Sequence, residues 1–228
     1  MSAGDIGKYF FLFSINPPVK LTGFVLPSDM KFDYNKDSMA ISLEISTYGN
    51  LEDVKEEAIQ RVKKLVALLS LQEIDTTAVY GSLYKLLQNG AKAFQVVLID
   101  SIGFSDSILP NTIEPIIDIT GPLSLNDVKF WRQMGHYCKG KSSKDPIERY
   151  REFYLVLEDE GPVNATERAL RHAVNHHELD SAWAIREVTS ILGSTYFDPM
   201  NQKNIDAINK YSDELQKKAK AILIAKTI

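Results

Sequence analysis

Short apolar runs broken by turn residues fill the beginning of the chain, and a helical spacing of apolar positions takes over further along. Residues 8 to 14, 20 to 26 and 39 to 46 are rich in Phe, Val, Ile and Leu, with Pro17-Pro18 and the polar stretch Asp33 to Asp37 between them. They predict antiparallel strands. From Leu51 to Leu71 the pattern changes: Val54, Ala58, Ile59, Val62, Leu65, Val66 and Leu69 recur at helical spacing with charges interleaved, which predicts one long amphipathic helix. Residues 76 to 89 fit either state, while 94 to 99 and 113 to 119 again read as short strands. The expected first domain, residues 1–121, is therefore a mixed α/β unit with antiparallel strands.

Gly121-Pro122 marks the expected boundary, because almost only helical periodicity follows. A helix is expected from about Leu125 to Cys138, followed by a loop from Lys139 to Lys144. The next has a clear start: Asp145 suits the N-cap and Pro146 the first helical position. Ile147, Tyr150, Phe153, Tyr154 and Leu157 form its apolar stripe until Gly161-Pro162. A third helix begins near Asn164, which suits a cap. A fourth covers Trp183 to Leu192 and ends at Gly193, and a fifth runs from Asn201 with Ile205, Ile208, Tyr211 and Leu215 on its packed face. Residues 122–228 thus predict an all-α bundle, and the whole chain an α+β fold.

Composition adds constraints of a negative kind. The 228 residues are 44% hydrophobic and 25% charged, enough to bury a core and too apolar for a mostly disordered chain. The single cysteine, Cys138, leaves no internal disulfide and reads as a core residue; a reducing, cytoplasmic setting is the expectation. Tyr9-Phe10-Phe11-Leu12-Phe13 is far too short for a membrane span, and no secretory signal pattern accompanies it. Charge is uneven: residues 1–121 carry 10 Lys+Arg against 15 Asp+Glu, and residues 122–228 carry 16 against 15. Lys139, Lys141, Lys144, Lys217, Lys218 and Lys220 are the candidates for a local basic patch, set against the plain reading of a solvated surface.

Chemistry concentrates in Arg171-His172-Ala173-Val174-Asn175-His176-His177-Glu178, which holds three of the four histidines and an arginine. Imidazole exchanges protons near neutral pH, and guanidinium is the best bidentate partner of a phosphate; together they suggest phosphodiester chemistry. The first half carries no glycine-rich phosphate loop, paired histidine ligands or nucleophile elbow. At about 100° per residue, Leu170, Ala173, Val174 and His177 share one face, Arg171, Asn175 and Glu178 a second, and His172 with His176 a third. Arg171 and His176 diverge by roughly 140° on a straight helix. To grip one phosphate, the helix must end or distort between them, or a second copy must supply the complementary group.

Arg171, a polar residue after it, and His176 fit the R-x4-6-H pattern, and the chain here resembles the HEPN superfamily. The segment from Tyr150 to Glu158 is similar to the helix that precedes the motif in HEPN proteins of the ApeA-like and MauJ-like kind. The resemblance covers about residues 122–228. It implies a metal-independent endoribonuclease without cofactor, acting as a homodimer with a composite cleft, in which the RNA 2'-hydroxyl attacks phosphorus and leaves a 2',3'-cyclic phosphate. Arg171 and His176 would be catalytic; His172, Asn175, His177 and Glu158 would support or orient the phosphate. His177 also fits the spacing, and the plainer reading of Glu158 is a surface acid at a helix end, since acids are mostly exposed. By the same resemblance the role would be that of a toxin or antiviral effector, with the first domain meeting a regulatory protein or ligand.

Two other readings stand beside it. His172 and His176, four apart, have zinc-chelating geometry, with Glu178 or Asp180 as a further ligand of a metal hydrolase, although the glutamate of H-E-x-x-H is missing. The third is a non-catalytic dimerisation or partner-binding bundle, because a fold does not establish an activity.

Overall fold

The computed structural model describes residues 7–16, 20–21, 25–35, 38–47, 51–74, 77–86, 92–95, 102–103, 112–113, 120–124, 127–161, 163–176 and 179–227. It is an α+β protein: antiparallel strands with one long helix come first, and a helical bundle follows. Two compact units divide it, residues 1–126 with 227–228 and residues 127–226.

In the first unit the strands are β1 (Gly7–Asn16), β2 (Lys20–Leu21), β3 (Met30–Asn35), β4 (Ser38–Thr47), β5 (Thr77–Leu86), β6 (Lys92–Gln95), β7 (Ile102–Gly103) and β8 (Thr112–Ile113). Helices α1 (Leu51–Leu71) and α2 (Thr120–Ser124) complete it. The main sheet runs β3-β4-β1-β5-β6 with β7 also paired to β5, and β2 pairs with β8 in parallel. Register sets Tyr9, Phe11 and Phe13 of β1 opposite Ile45, Leu43 and Ile41 of β4, and all six are buried. Period-2 alternation therefore gives the central strands one apolar face. Helix α1 packs on the sheet through Val54, Ala58, Val62, Leu65, Val66 and Leu69, the stripe its spacing predicts; only Ile59 stays partly exposed.

Several sequence expectations change here. Asp33, Tyr34 and Asn35 belong to β3, opposite Ala40, Met39 and Ser38, because an edge strand tolerates polar residues that a central one does not. The strand expected over 20 to 26 is only Lys20–Leu21 among the described residues, and residues 25 to 27 have no regular structure, the chain turning as Met30 N–H donates to the Pro27 carbonyl at 2.9 Å. Within the ambiguous stretch Thr77–Leu86 is a strand, β5, and residues 76 and 87 to 89 lie outside the described residues. Residues 96 to 99 and 114 to 119 of the two later expected strands lie outside the described residues. Gly121-Pro122 sits inside α2, and the units divide between Asn126 and Asp127.

The second unit contains α3 (Val128–Ser142), α4 (Pro146–Glu158), α5 (Ala165–Asn175), α6 (Ala182–Leu192) and α7 (Gln202–Ala225). Helix α4 packs against α3, α5 and α7. Tyr150, Phe153, Tyr154 and Leu157 of the expected stripe are buried, Ile147 stays partly exposed, and Val156 joins the core beside them. Asp145 caps it, accepting from Ile147 N–H at 2.9 Å, with Pro146 in the first turn. Gly193 ends α6 at φ 74°, where a left-handed residue is needed. The loop expected over Lys139 to Lys144 is mostly helix instead. Gly140 is buried where an added Cβ would meet the Phe153 ring at 2.8 Å, so close contact with α4 extends α3 through a glycine that disfavours helix by itself.

Near the far end of α4, Glu160 accepts hydrogen bonds from Lys226 at 2.7 Å and Gln133 at 3.1 Å and pairs with Lys129 at 2.9 Å. The donors, Lys226 first, hold its carboxyl at about 2 instead of the ordinary 4.5. A lowered carboxyl pKa stabilises the fold above the unfolded value and ceases to do so as pH falls through the folded one. Glu160→Gln should therefore lower stability at pH 7 by about 1 kcal/mol, since the network is only partly shielded from water. Melting curves of both proteins between pH 7 and pH 2 should show the gap closing below pH 4.5. A gap that stays constant throughout would refute the role given to this carboxylate.

Candidate functional site

Helix α5 begins with a reciprocal cap. Asn164 Oδ1 accepts from Glu167 N–H at 2.8 Å, and Glu167 Oε2 accepts from Asn164 N–H at 2.9 Å. Glu167 is fully buried, and its other carboxylate oxygen meets Lys218 Nζ of α7 at 2.5 Å. The Tyr150 hydroxyl of α4 donates to its backbone carbonyl at 2.7 Å. Both neighbouring helices thus fix where α5 starts.

The other end of α5 carries the candidate chemistry. Leu170, Ala173 and Val174 are buried, as the helical projection predicts, while His172, Asn175 and His176 are exposed and Arg171 is partly exposed. The helix stops at Asn175. His176 has extended backbone, φ −130° and ψ 139°, and its N–H donates to the His172 carbonyl at 2.9 Å. Arg151 of α4 donates from Nη2 to the Val174 carbonyl at 2.7 Å, placing a cation at the negative end of the helix.

Although the helix ends before His176, that imidazole remains beside His172, with ring centroids 5.9 Å apart and planes 29° apart. Arg171 faces α4 instead. Its guanidinium lies 5.1 Å from the Tyr154 ring centroid and 3.5 Å from Glu158 Oε1. Tyr154 is buried and stacks on Tyr150 at 6.4 Å. Burial, then the Glu158 charge, push its hydroxyl pKa up against the pull of Arg171 and Arg168. Among the described residues no hydrogen bond or ion pair joins Arg171 to His176, so one chain brings the two histidines together and holds the arginine against α4. His177 and Glu178 lie outside the described residues.

Arg151, Tyr154 and Glu158 recur at i, i+3 and i+7, one face of α4, and that face organises the end of α5. Sequence reasoning took Tyr154 for core alone and did not single out Arg151; the spacing relative to Glu158 was the available signal. A second cluster was also missed. Glu152, almost fully buried, meets His136 Nδ1 at 2.7 Å and Lys139 Nζ at 2.5 Å, and Lys139 also meets Glu148 at 2.5 Å. Burial works to raise the Glu152 carboxyl, but the hydrogen bonds from Lys139 and His136 outweigh it and its pKa is lowered. These pairs satisfy one another and tie α3 to α4.

No group of three His, Cys, Asp or Glu side chains able to hold a metal occurs among the described residues, and no helix there is long and apolar enough to cross a membrane. In the first unit, a cleft of about 500 Å3 lies beside Phe10, Leu12, Asp29, Lys31, Ser42 and Glu44. Comparison with protein-family models, curated proteins and solved structures yields no match.

Replacing Arg151 with Met keeps bulk and removes the charged cap. Backbone amides in the last turn of α5 should then exchange hydrogen faster, consistent with a loss of about 1 kcal/mol of local stability, while those in the middle of α4 keep their protection. Unchanged exchange around Val174 would show that the helix end needs no such cap.

Proposed function

We propose that the chain is a metal-independent endoribonuclease of the HEPN kind, working in the cytoplasm as a homodimer whose two helix ends complete one cleft. The observation that carries the reading is the exposed pairing of His172 with His176 beside Asn175 at the end of α5, with Arg171 in the same last turns but held against α4. In this reading His176 exchanges the proton of the attacking 2'-hydroxyl or of the leaving oxygen. Arg171 neutralises the charge that develops on phosphorus, and His172 and Asn175 orient the phosphate. An internal nucleophile removes the need for metal-activated water. Glu158 and Tyr154 keep the guanidinium aligned until substrate arrives; the second subunit supplies the complementary group that the separation of Arg171 from His176 calls for. A toxin or antiviral role would follow, with the first unit receiving a regulatory protein or ligand.

The engagement of Arg171 by Glu158 and Tyr154 favours a second reading, a non-catalytic dimerisation or partner-binding bundle. One assay separates the two. Labelled RNA incubated in EDTA with the native protein should yield 2',3'-cyclic phosphate ends, and Arg171→Ala or His176→Ala should each slow cleavage by about 100-fold or more. Equal cleavage by all three proteins, or products with 3'-hydroxyl ends, would sink the ribonuclease assignment. A native dimer that cleaves no RNA would support the second reading.

A further inference from the structure

Register in the first unit places Ser42 of β4 between Leu12 of β1 and Lys31 of β3, with Phe10 opposite Glu44 one step along the same face. Alternation turns this row away from Phe11, Ile41, Leu43 and Met30, which are buried on the other face of the sheet. A cleft of about 500 Å3 opens beside the row and reaches Asp29, in the turn before β3. Two oxygens of its lining, Asp29 Oδ1 and Ser42 Oγ, are buried and have no hydrogen-bond partner. We propose that this cleft binds a small primary amine in its ammonium form, whose N–H groups satisfy these two oxygens while its apolar body lies on Phe10 and Leu12.

The unsatisfied acceptors decide the chemistry of the occupant. Arg61 of α1 donates to Asp29 Oδ2 at 2.6 Å and leaves Oδ1 without a donor. A carboxylate oxygen withdrawn from water and left bare is costly, and a donor supplied from outside offsets that cost. A charged donor makes the stronger bond to an ionised oxygen, and an ammonium carries three N–H groups and no acceptor, so one nitrogen serves both Asp29 and Ser42. A guanidinium fits less well, because it prefers both oxygens of a carboxylate and Arg61 already holds one. Asp29, Asp33 and Glu44 form no group able to hold a metal ion. Access needs only a shift at the rim: Lys31, beside Ser42, is 72% exposed, and its pair with Asp33 at 3.2 Å is weak in water.

Neither Lys31, paired with Asp33, nor Glu44, which has interactions of its own, is needed for the assignment. It stands on Asp29 Oδ1, Ser42 Oγ and the apolar side chains of β1, of which Leu12 is 38% exposed. A volume of about 500 Å3 falls among small-molecule sites, roughly 300 to 1,000 Å3, which favours a free amine over the lysine of a partner protein. The assignment gives a chemical class to the ligand received by the first unit; it rests on that part of the functional reading and not on cleavage at Arg171.

The full chain is titrated by calorimetry with phenethylamine and with three comparison probes. Phenethyl alcohol keeps the body and loses the charge, phenylacetate reverses the charge, and ethylamine loses the body. The same titrations use Ser42→Val, a residue that a strand accepts, and Asp29→Asn, which keeps an acceptor for Arg61 and sets an amide donor in place of the bare oxygen. Circular dichroism checks that both variants keep the native fold. Phenethylamine should bind the native chain about tenfold or more tightly than any comparison probe, and each substitution should weaken it by about tenfold, since each removes a charge-assisted hydrogen bond. Absence of phenethylamine binding at millimolar concentration overturns the proposal, as do equal affinities for the alcohol, phenylacetate or ethylamine, or an affinity that the variants leave unchanged. A capped leucyl-lysine peptide that binds more tightly than the free amine gives the cleft to a lysine of a partner and overturns the small-molecule assignment. Arg171→Ala is expected to bind phenethylamine as the native chain does, so failure of the cleavage reading and failure of this one are scored separately.

Discussion

A buried carboxylate governs the helical unit. Glu167 closes the first turn of α5 through Asn164, receives Lys218 from α7 and, through its backbone carbonyl, the Tyr150 hydroxyl from α4. Removing one partner of a buried charge pair typically costs about 3 to 5 kcal/mol, because the remaining charge is left without water or counter-ion. The position of α5 along α4 is consequently held by polar groups whose geometry tolerates little sliding. Burial of Tyr150, Ala169 and Leu170 adds apolar area but little register, so the polar junction decides which residues of α5 emerge at its far end.

Emergence at that end is also set by α4. Arg151 neutralises the carbonyl end of α5, Tyr154 offers Arg171 a ring face, and Glu158 offers it a counter-charge. The two histidines are left on the exposed side, stacked on each other. Arginine and histidine therefore belong to different faces of one helix end. A single subunit separates guanidinium from imidazole, which is the physical reason that the ribonuclease reading invokes two subunits.

Much of this architecture is legible in the residues. The α1 stripe, the Asp145-Pro146 start, the Asn164 cap and the Gly193 stop are local signals, because each depends on neighbours within a turn or two. Where the reading departs from the structure, long-range pairing is responsible. Residues 33 to 35 become strand through their pairing with β4, and Lys139 to Ser142 remain helical because α4 offers Glu148, Glu152 and Phe153 to that turn. The site follows the same division. Exposure of His172 and burial of Ala173 and Val174 come directly from helical geometry, whereas the partnership of Arg171 with Tyr154 and Glu158 requires knowing which helix α5 packs against.

The strength of that partnership bears on both functional readings. An ion pair at 3.5 Å with Glu158 44% exposed and Arg171 31% exposed is worth at most about 1 kcal/mol, since water screens it. A phosphate, with more negative charge and oxygens matched to both guanidinium nitrogens, competes readily for the same cation. A guanidinium 5.1 Å from a ring centroid can keep that contact while its N–H groups bind oxygen. Arg171 is thus anchored by its stem and ring contact while its counter-ion remains replaceable, an arrangement compatible with anion capture and stronger than a freely solvated arginine would provide.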